Sequence, residues 1–211
     1  MMTSDQIIVL NREQKVSETD PFTVRRYRQF IRHFPPRTRN VLDVGCNTGR
    51  GGEVIKALLP EVRVSGLDCV PERVAALDAM HYDEKICGFT NDIPISSDSF
   101  DAIVAGEFIE HLPPDQVYQT LCEFFRLLRL GGVLLMTTPN PNYIKNKIRK
   151  QSVLGGSHIT QHHVRSLRRR LGDVGFSGIK MRGSGRVSSI LGEHFPTFAV
   201  YGSYLAKATK W

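Results

Sequence analysis

Between residues 41 and 139, short apolar runs alternate with helix-length amphipathic segments, and that rhythm constrains the fold more than any other feature of the chain. VLDVGC (41–46), VRVSGLD (62–68), a short run at 85–88, FDAIVAG (100–106) and GVLLMTT (132–138) read as strands. The segments between them carry helix signals. Pro60 stops a helix ending near Leu59, Pro71 opens one running to about Met80, and Pro114 and Gly131-Gly132 bracket one over 114–129. Strands and helices at this spacing imply right-handed crossovers and a mostly parallel sheet. Upstream, DPFTVRRYRQFIRHF (20–34) predicts a helix with Asp20 as its cap and Pro21 at its first position. Downstream, a helix at 160–174 and strands near 178–183 and 198–207 follow a polar, basic connection over 140–158.

The expected architecture is therefore α/β: a Rossmann-like, doubly wound, mostly parallel seven-stranded sheet with helices on both faces. One domain is expected over 1–211, with 1–40 as a helical cap and 140–158 as a basic insert. The composition, 41% hydrophobic and 23% charged, excludes a disordered chain, a collagen and a disulfide miniprotein. No apolar run reaches the roughly 18 residues of a membrane span. MMTSDQIIVLNREQK lacks the basic start and long apolar core of a signal peptide. Cys46, Cys69, Cys87 and Cys122 are far apart and form no CxxC pair, so neither a disulfide frame nor a metal knot is expected. These features predict a reduced, cytoplasmic protein.

Charge is unevenly placed. Residues 41–139 carry seven Lys/Arg against fifteen Asp/Glu, whereas 140–186 carry eleven against one, Asp173. A basic segment on an acidic body favours an anionic partner, although it also suits a solvated face.

In open α/β sheets, ligands bind beyond the carboxyl ends of the strands. The turn after the first strand is Asp43-Val44-Gly45-Cys46-Asn47-Thr48-Gly49. Its glycines allow close backbone approach, and Asn47 tolerates the left-handed region where a glycine would otherwise stand. Asp68 ends the second strand, 23 residues after Gly45, where a carboxylate suits two ribose hydroxyls. The turn and the acid together predict a nucleoside ligand. The glycine spacing is not GxGxxG, which argues against NAD.

The strings VLDVGCNTG, GLDCVPERVAAL, NDIPISSDSFDAIVAGEFIEHL and LLRLGGVLLMTTPNP, in this order, resemble a class I S-adenosylmethionine-dependent methyltransferase, and GDVGF at 172–176 adds to the likeness. The resemblance implies S-adenosylmethionine as cofactor and S-adenosylhomocysteine as product. It implies that Gly45, Cys46, Asn47 and Gly49 approach the methionine end and that Asp43 orients the loop and the cofactor's amino group. Asp68 and Cys69 then take the ribose and the edge of the adenine, and Glu107 lies under the methionine moiety. Phe89 and Thr90 stand where the family often has an acid and a small residue against the adenine. Phe89 can stack there instead, with Asn91 or Asp92 as other donors and acceptors.

Methyl transfer to oxygen usually needs a base, and a histidine suits the role. His111 follows the fourth strand near the expected methyl position, with Glu107 and Glu110 on the same helical face. EFIEH resembles the corresponding segment of ubiquinone-biosynthesis O-methyltransferases, where these groups accompany a divalent metal; here no metal is expected, the ion being the lesser alternative. GGSH (155–158) with PNPNY and the later GF resembles small-molecule and sugar methyltransferases, which makes His158 the second candidate base, His162 and His163 alternatives, and Tyr143 a candidate acceptor contact.

The leading expectation is an enzyme that methylates an oxygen of a small-molecule acceptor, a sugar or another anionic metabolite. An RNA methyltransferase is the alternative suggested by the sequence pI of 9.4. Against it, NPNY (140–143) follows the fifth strand, whereas the amino-methylating NPPY-type motif follows the fourth. A non-catalytic cofactor-binding protein is the third reading, left open by Asn47 and Phe89.

Overall fold

The computed structural model describes residues 2–13 and 20–211. The strands are β1 (Asn40–Val44), β2 (Arg63–Asp68), β3 (Glu84–Cys87), β4 (Phe100–Gly106), β5 (Leu128–Pro139), β6 (Ser177–Ser184) and β7 (Ser203–Thr209). They form one seven-stranded sheet in the order β3-β2-β1-β4-β5-β7-β6. β1 to β5 run parallel, and β7 inserts antiparallel to both β5 and β6.

The strand order reverses direction at β1, so the crevice between β1 and β4 is the switch point where the ends of both strands open. Helices cover both faces. On one side Tyr27 and Phe30 of α2 (Thr23–Ile31) and Val54 and Ile55 of α3 (Arg50–Leu58) pack on Val41, Val64, Val104 and Leu135. On the other, α5 (Val117–Leu127) and α7 (Val164–Val174) bury Leu121, Phe124, Leu167 and Leu171 against Leu42, Val44, Ile103 and Leu134. Alternate residues of β1 thus feed opposite cores, which is why this strand reads as an unbroken apolar run.

Several boundaries differ from the sequence reading, each for a local reason. The N-terminal helix begins at Thr23, because the Asp20 side chain accepts from Phe22 N at 2.9 Å and holds 20–22 as a turn. α4 (Pro71–Ala76) ends well short of Met80, with Leu77 turned to bury its side chain. α5 starts three residues after Pro114. The 140–158 connection contains a short helix, α6 (Ile144–Ile148), and the late strand region starts with a 3-10 turn at Phe198–Val200. Two further short helices, α1 (Ser4–Arg12) and α8 (Ser188–Leu191), have no counterpart in the sequence reading. GDVGF closes α7: Gly175 takes φ 113° and Phe176 packs edge-on to Phe125 at 5.1 Å.

Candidate functional site

The turn after β1 is built on buried polar contacts. Asp43 is fully buried on β1 and accepts from the Tyr27 hydroxyl at 2.5 Å and the Tyr82 hydroxyl at 2.6 Å. Burial pushes its carboxyl up to about 6, against the lowering effect of the two tyrosines. Both carboxylate oxygens are engaged within the protein, so Asp43 ties α2 and the residue-82 turn to the strand beneath the glycine loop. Gly49, in the left-handed region at φ 86°, caps the N-terminus of α3. Neither Asp43 nor Gly49 lines either of the two cavities that meet at this loop; both shape the loop.

Gly45 has φ 66°, and a Cβ there would stand 2.8 Å from the Phe108 ring. Asn47 has φ 48°, as a residue that tolerates this region should. Its backbone N–H donates to Asp68 Oδ2 at 3.0 Å, while Val70 N donates to Oδ1 at 2.9 Å. Burial raises the Asp68 carboxyl above its ordinary value despite these donors. The acid at the end of β2 therefore braces the loop and lines the smaller of the cavities that meet there.

Two adjoining cavities meet at this loop. The smaller, of about 60 Å³, is lined by Leu67, Asp68, Cys69, Phe89, Thr90 and Leu112 among others. The larger, about 1490 Å³, runs past Cys46, Tyr143 and 155–158 toward α2 and residues 184–189. Gly45, Asn47, Glu107 and His111 belong to both walls. Thr90 is buried and shares a hydrogen bond with Thr120 at 2.8 Å.

Glu107 sits at φ 52°, an unusual backbone for an acid. Ser203 donates to its Oε2 at 3.2 Å, and Arg26 Nε approaches Oε1 at 3.9 Å. Among the described residues its buried Oε1 has no hydrogen-bond partner. A buried acceptor left open at the junction of two cavities is a place for a ligand's donor.

His111 ends a 3-10 turn, Ile109–His111. Its Nδ1 lies 2.9 Å from the carbonyl of Ser157, an acceptor only, so Nδ1 carries the proton in that bond, and the backbone of Glu107 is a second acceptor facing the ring. Burial, with the nearby His158, lowers its pKa to about 4, so the ring is neutral at physiological pH. The His158 ring stands edge-on to it at 4.8 Å, with Nδ1 bonded to the Val153 carbonyl at 3.0 Å. Glu110 is buried beside them, its Oε2 accepting from Thr138 at 3.0 Å; burial and the neighbouring Glu107 hold its carboxyl well above the usual range.

Ligand atoms of Glu110, His111 and His158 lie within 4.8 Å of one another. Glu107, bound toward Ser203 and Arg26, is not in this group, so the EFIEH acids do not act together as spacing implies. His162 is buried away from the cavities, with Nε2 on Thr160 and the Ile109 carbonyl. His163 caps α7 and faces Asn142.

The cleft also has walls that no motif marked. Arg25, Arg26, Arg28 and Arg32 of α2 line it, as do Arg186, Ser188 and Ser189. Arg26 is paired with Asp20 at 3.1 Å, and Arg32 approaches Glu193 at 4.0 Å. Arg25 reaches Ser189 at 3.5 Å, and among the described residues no carboxylate pairs with Arg25, Arg28 or Arg186. The RRYR run carried the only signal of this wall; the helical period alone could not say which cavity it faces.

Residues 42–136 match the family described as a methyltransferase domain. A malonyl-[acyl-carrier protein] O-methyltransferase of Laribacter hongkongensis is 30% identical over 146 residues, covering 62% of this chain and 47% of that protein. A mitochondrial ubiquinone biosynthesis O-methyltransferase of Mus musculus is 31% identical over 111 residues, covering 47% of this chain and 28% of that protein. The chain thus spans less than half the length of these two curated relatives. A solved S-adenosylmethionine-dependent methyltransferase from Archaeoglobus fulgidus shares the fold at TM-score 0.69 and 19% identity, covering 89% of this chain and 92% of that one. With the strand order, the loop after β1 and the acid ending β2, these matches identify residues 42–136 as a methyltransferase domain similar to those of class I S-adenosylmethionine-dependent enzymes.

Proposed function

We propose that the protein transfers a methyl group to an oxygen of a small anionic molecule in the large cleft. The observation that carries this reading is the shared wall: Gly45, Asn47, Glu107 and His111 line both cavities, so a ligand held in the smaller one presents its far end to the larger. S-adenosylmethionine, when bound, supplies the electrophilic methyl group and leaves as S-adenosylhomocysteine.

The residues present fit that cofactor. Asp68 would take the ribose hydroxyls, and Cys69, Phe89 and Thr90 the adenine. The open Oε1 of Glu107 suits the amino group at the methionine end. His111 would accept the acceptor's proton as the carbon–oxygen bond forms, with its orientation set by Ser157 and the backbone of Glu107. His158 is placed to share the acceptor's hydroxyl, and Tyr143 to line its pocket. α1, α2 and the 140–158 insert would close the acceptor side. The guanidinium groups of Arg25, Arg28 and Arg186 favour an acceptor bearing a carboxylate or phosphate. The O-methyltransferase relatives support oxygen as the methylated atom. The four free cysteines support a reducing, cytoplasmic setting.

The experiment is calorimetric titration with S-adenosylmethionine and S-adenosylhomocysteine, NAD serving as control, followed by radiolabelled methyl transfer to a panel of anionic and neutral hydroxyl compounds. Absence of binding to either nucleoside would overturn the reading. Transfer only to neutral acceptors would overturn its anionic part.

One observation favours a second reading. The cluster of Glu110, His111 and His158 offers three ligand atoms of the types a catalytic divalent ion takes. An ion there would polarise the acceptor oxygen in place of a base.

A further inference from the structure

Thirteen large apolar side chains are exposed among the described residues, and six of them fall in two short segments beside the cleft. One segment is α6 and its exit. Ile144 and Ile148 lie one helical turn apart, on one face, at 50% and 76% exposure, and Leu154 follows at 43%. The other is α8 and its exit, with Ile190 at 74%, Leu191 at 48% and Phe195 at 38%. These segments form two lips of one opening. Tyr143, which caps α6, and 155–158 line the cleft from one side; Arg186 to Ser189, which lead into α8, line it from the other.

Both lips are basic. Lys145, Lys147, Arg149 and Lys150 surround the α6 side chains, and Arg186 precedes α8. All five are exposed, and among the described residues none has a side-chain hydrogen bond or ion pair. No acidic residue occurs between 140 and 172. Scattered exposed apolar residues are ordinary on a protein surface. Six gathered on the rim of one cleft, interleaved with cations that nothing neutralises, are not scattered.

We propose that this rim lies on an anionic lipid surface, so that the cleft opens toward the membrane interface. Charge complementarity selects the occupant. The cations match acidic headgroups, while Ile148 and Ile190 are short projecting tips suited to the boundary between headgroup and acyl chain. A protein interface is depleted in lysine, whereas here Lys145, Lys147 and Lys150 stand exposed among the apolar tips. No described helix is long and apolar enough to span a membrane, so the contact is with its surface.

The test is co-sedimentation of the full chain with vesicles of phosphatidylcholine alone, and with vesicles in which about a quarter of the lipid is phosphatidylglycerol. Neither measurement needs an acceptor or methyl transfer. Binding to the anionic vesicles should exceed binding to the neutral ones by roughly tenfold or more and should fall steeply with salt. Ile148→Ser with Ile190→Ser, which leaves the charge unchanged, should remove it by a comparable factor. These exposed positions lie outside the cofactor and base machinery, so the variant's melting temperature and its affinity for S-adenosylhomocysteine should be unchanged. Equal binding to both vesicle types overturns the proposal. So does undiminished binding of the double variant, which would reduce the effect to diffuse charge. Failure to bind anionic vesicles overturns it also, whether or not an acidic protein binds.

Discussion

His111 donates from Nδ1 to the carbonyl of Ser157 at 2.9 Å, across 46 residues of sequence. That bond holds the ring against the loop that also carries His158. Replacing His111 with Ala should lower kcat by ~10² to 10⁴-fold. The affinity for S-adenosylhomocysteine should change by less than about threefold, since a base acts on the transition state rather than on the bound cofactor. Because burial lowers the ring's pKa to about 4, kcat should stay level from neutral pH to about 5 and decline only near 4. A wild-type profile breaking near 7 would assign the base elsewhere.

Chelation separates the two readings of the histidine cluster. If His111 works as a base, exhaustive dialysis against a chelator should leave turnover within about twofold. Loss of activity, restored by adding back a divalent ion, would favour coordination by Glu110, His111 and His158.

The loop after β1 makes a conformational prediction. Gly45→Ala combines φ 66° with a Cβ placed 2.8 Å from Phe108, so it should weaken S-adenosylhomocysteine binding at least tenfold and lower the melting temperature. Asn47→Gly removes a side chain from φ 48° and should leave stability within ~0.5 kcal/mol. Asp68→Ala removes the acceptor for two backbone donors and the proposed ribose contact together, and calorimetry should find no measurable cofactor binding.

Much of this was legible beforehand, for physical reasons. β1, β2, β4 and β5 are buried on both faces, so their apolar runs leave no ambiguity, and Pro60 and Pro71 mark helix ends by removing a donor and fixing φ. α6 and α8 were not legible, because they are short and neither has a buried residue to impose a period, while α1, nine residues long, was passed over despite its Thr3–Gln6 capping box. Spacing also overstated the unity of Glu107, Glu110 and His111. The left-handed backbone at Glu107 sends its carboxylate to Ser203 and toward Arg26, outside the group of Glu110, His111 and His158, although its charge still raises the Glu110 carboxyl. His158 reached His111 through a loop closure that no local pattern encodes. The arginine wall depends on α2 crossing the β1–β4 crevice, a long-range fact.

A buried histidine outside the cleft gives a stability prediction. His162 has its pKa lowered to about 4 by burial, below its unfolded value. The unfolded chain therefore binds the proton first, so this contribution is whole above about pH 6.5 and is lost as pH falls toward 4. Between about pH 7 and 5 the loss should reach ~2 kcal/mol, and His162→Gln should remove it from the pH dependence of urea unfolding. An unchanged slope in the variant would mean that other groups carry the effect.

Asp43 is held by one hydroxyl from α2 and another from the turn at residue 82. The strand beneath the cofactor loop is thus locked from two sides before any ligand arrives. Entry of the nucleoside then demands little reordering of the chain, and association should be fast and nearly independent of concentration-limiting rearrangements. Tyr27→Phe would leave a buried carboxylate with a single donor. Such a protein would load more slowly and bind more weakly by the same factor, its loop spending part of its time in arrangements the cofactor cannot enter.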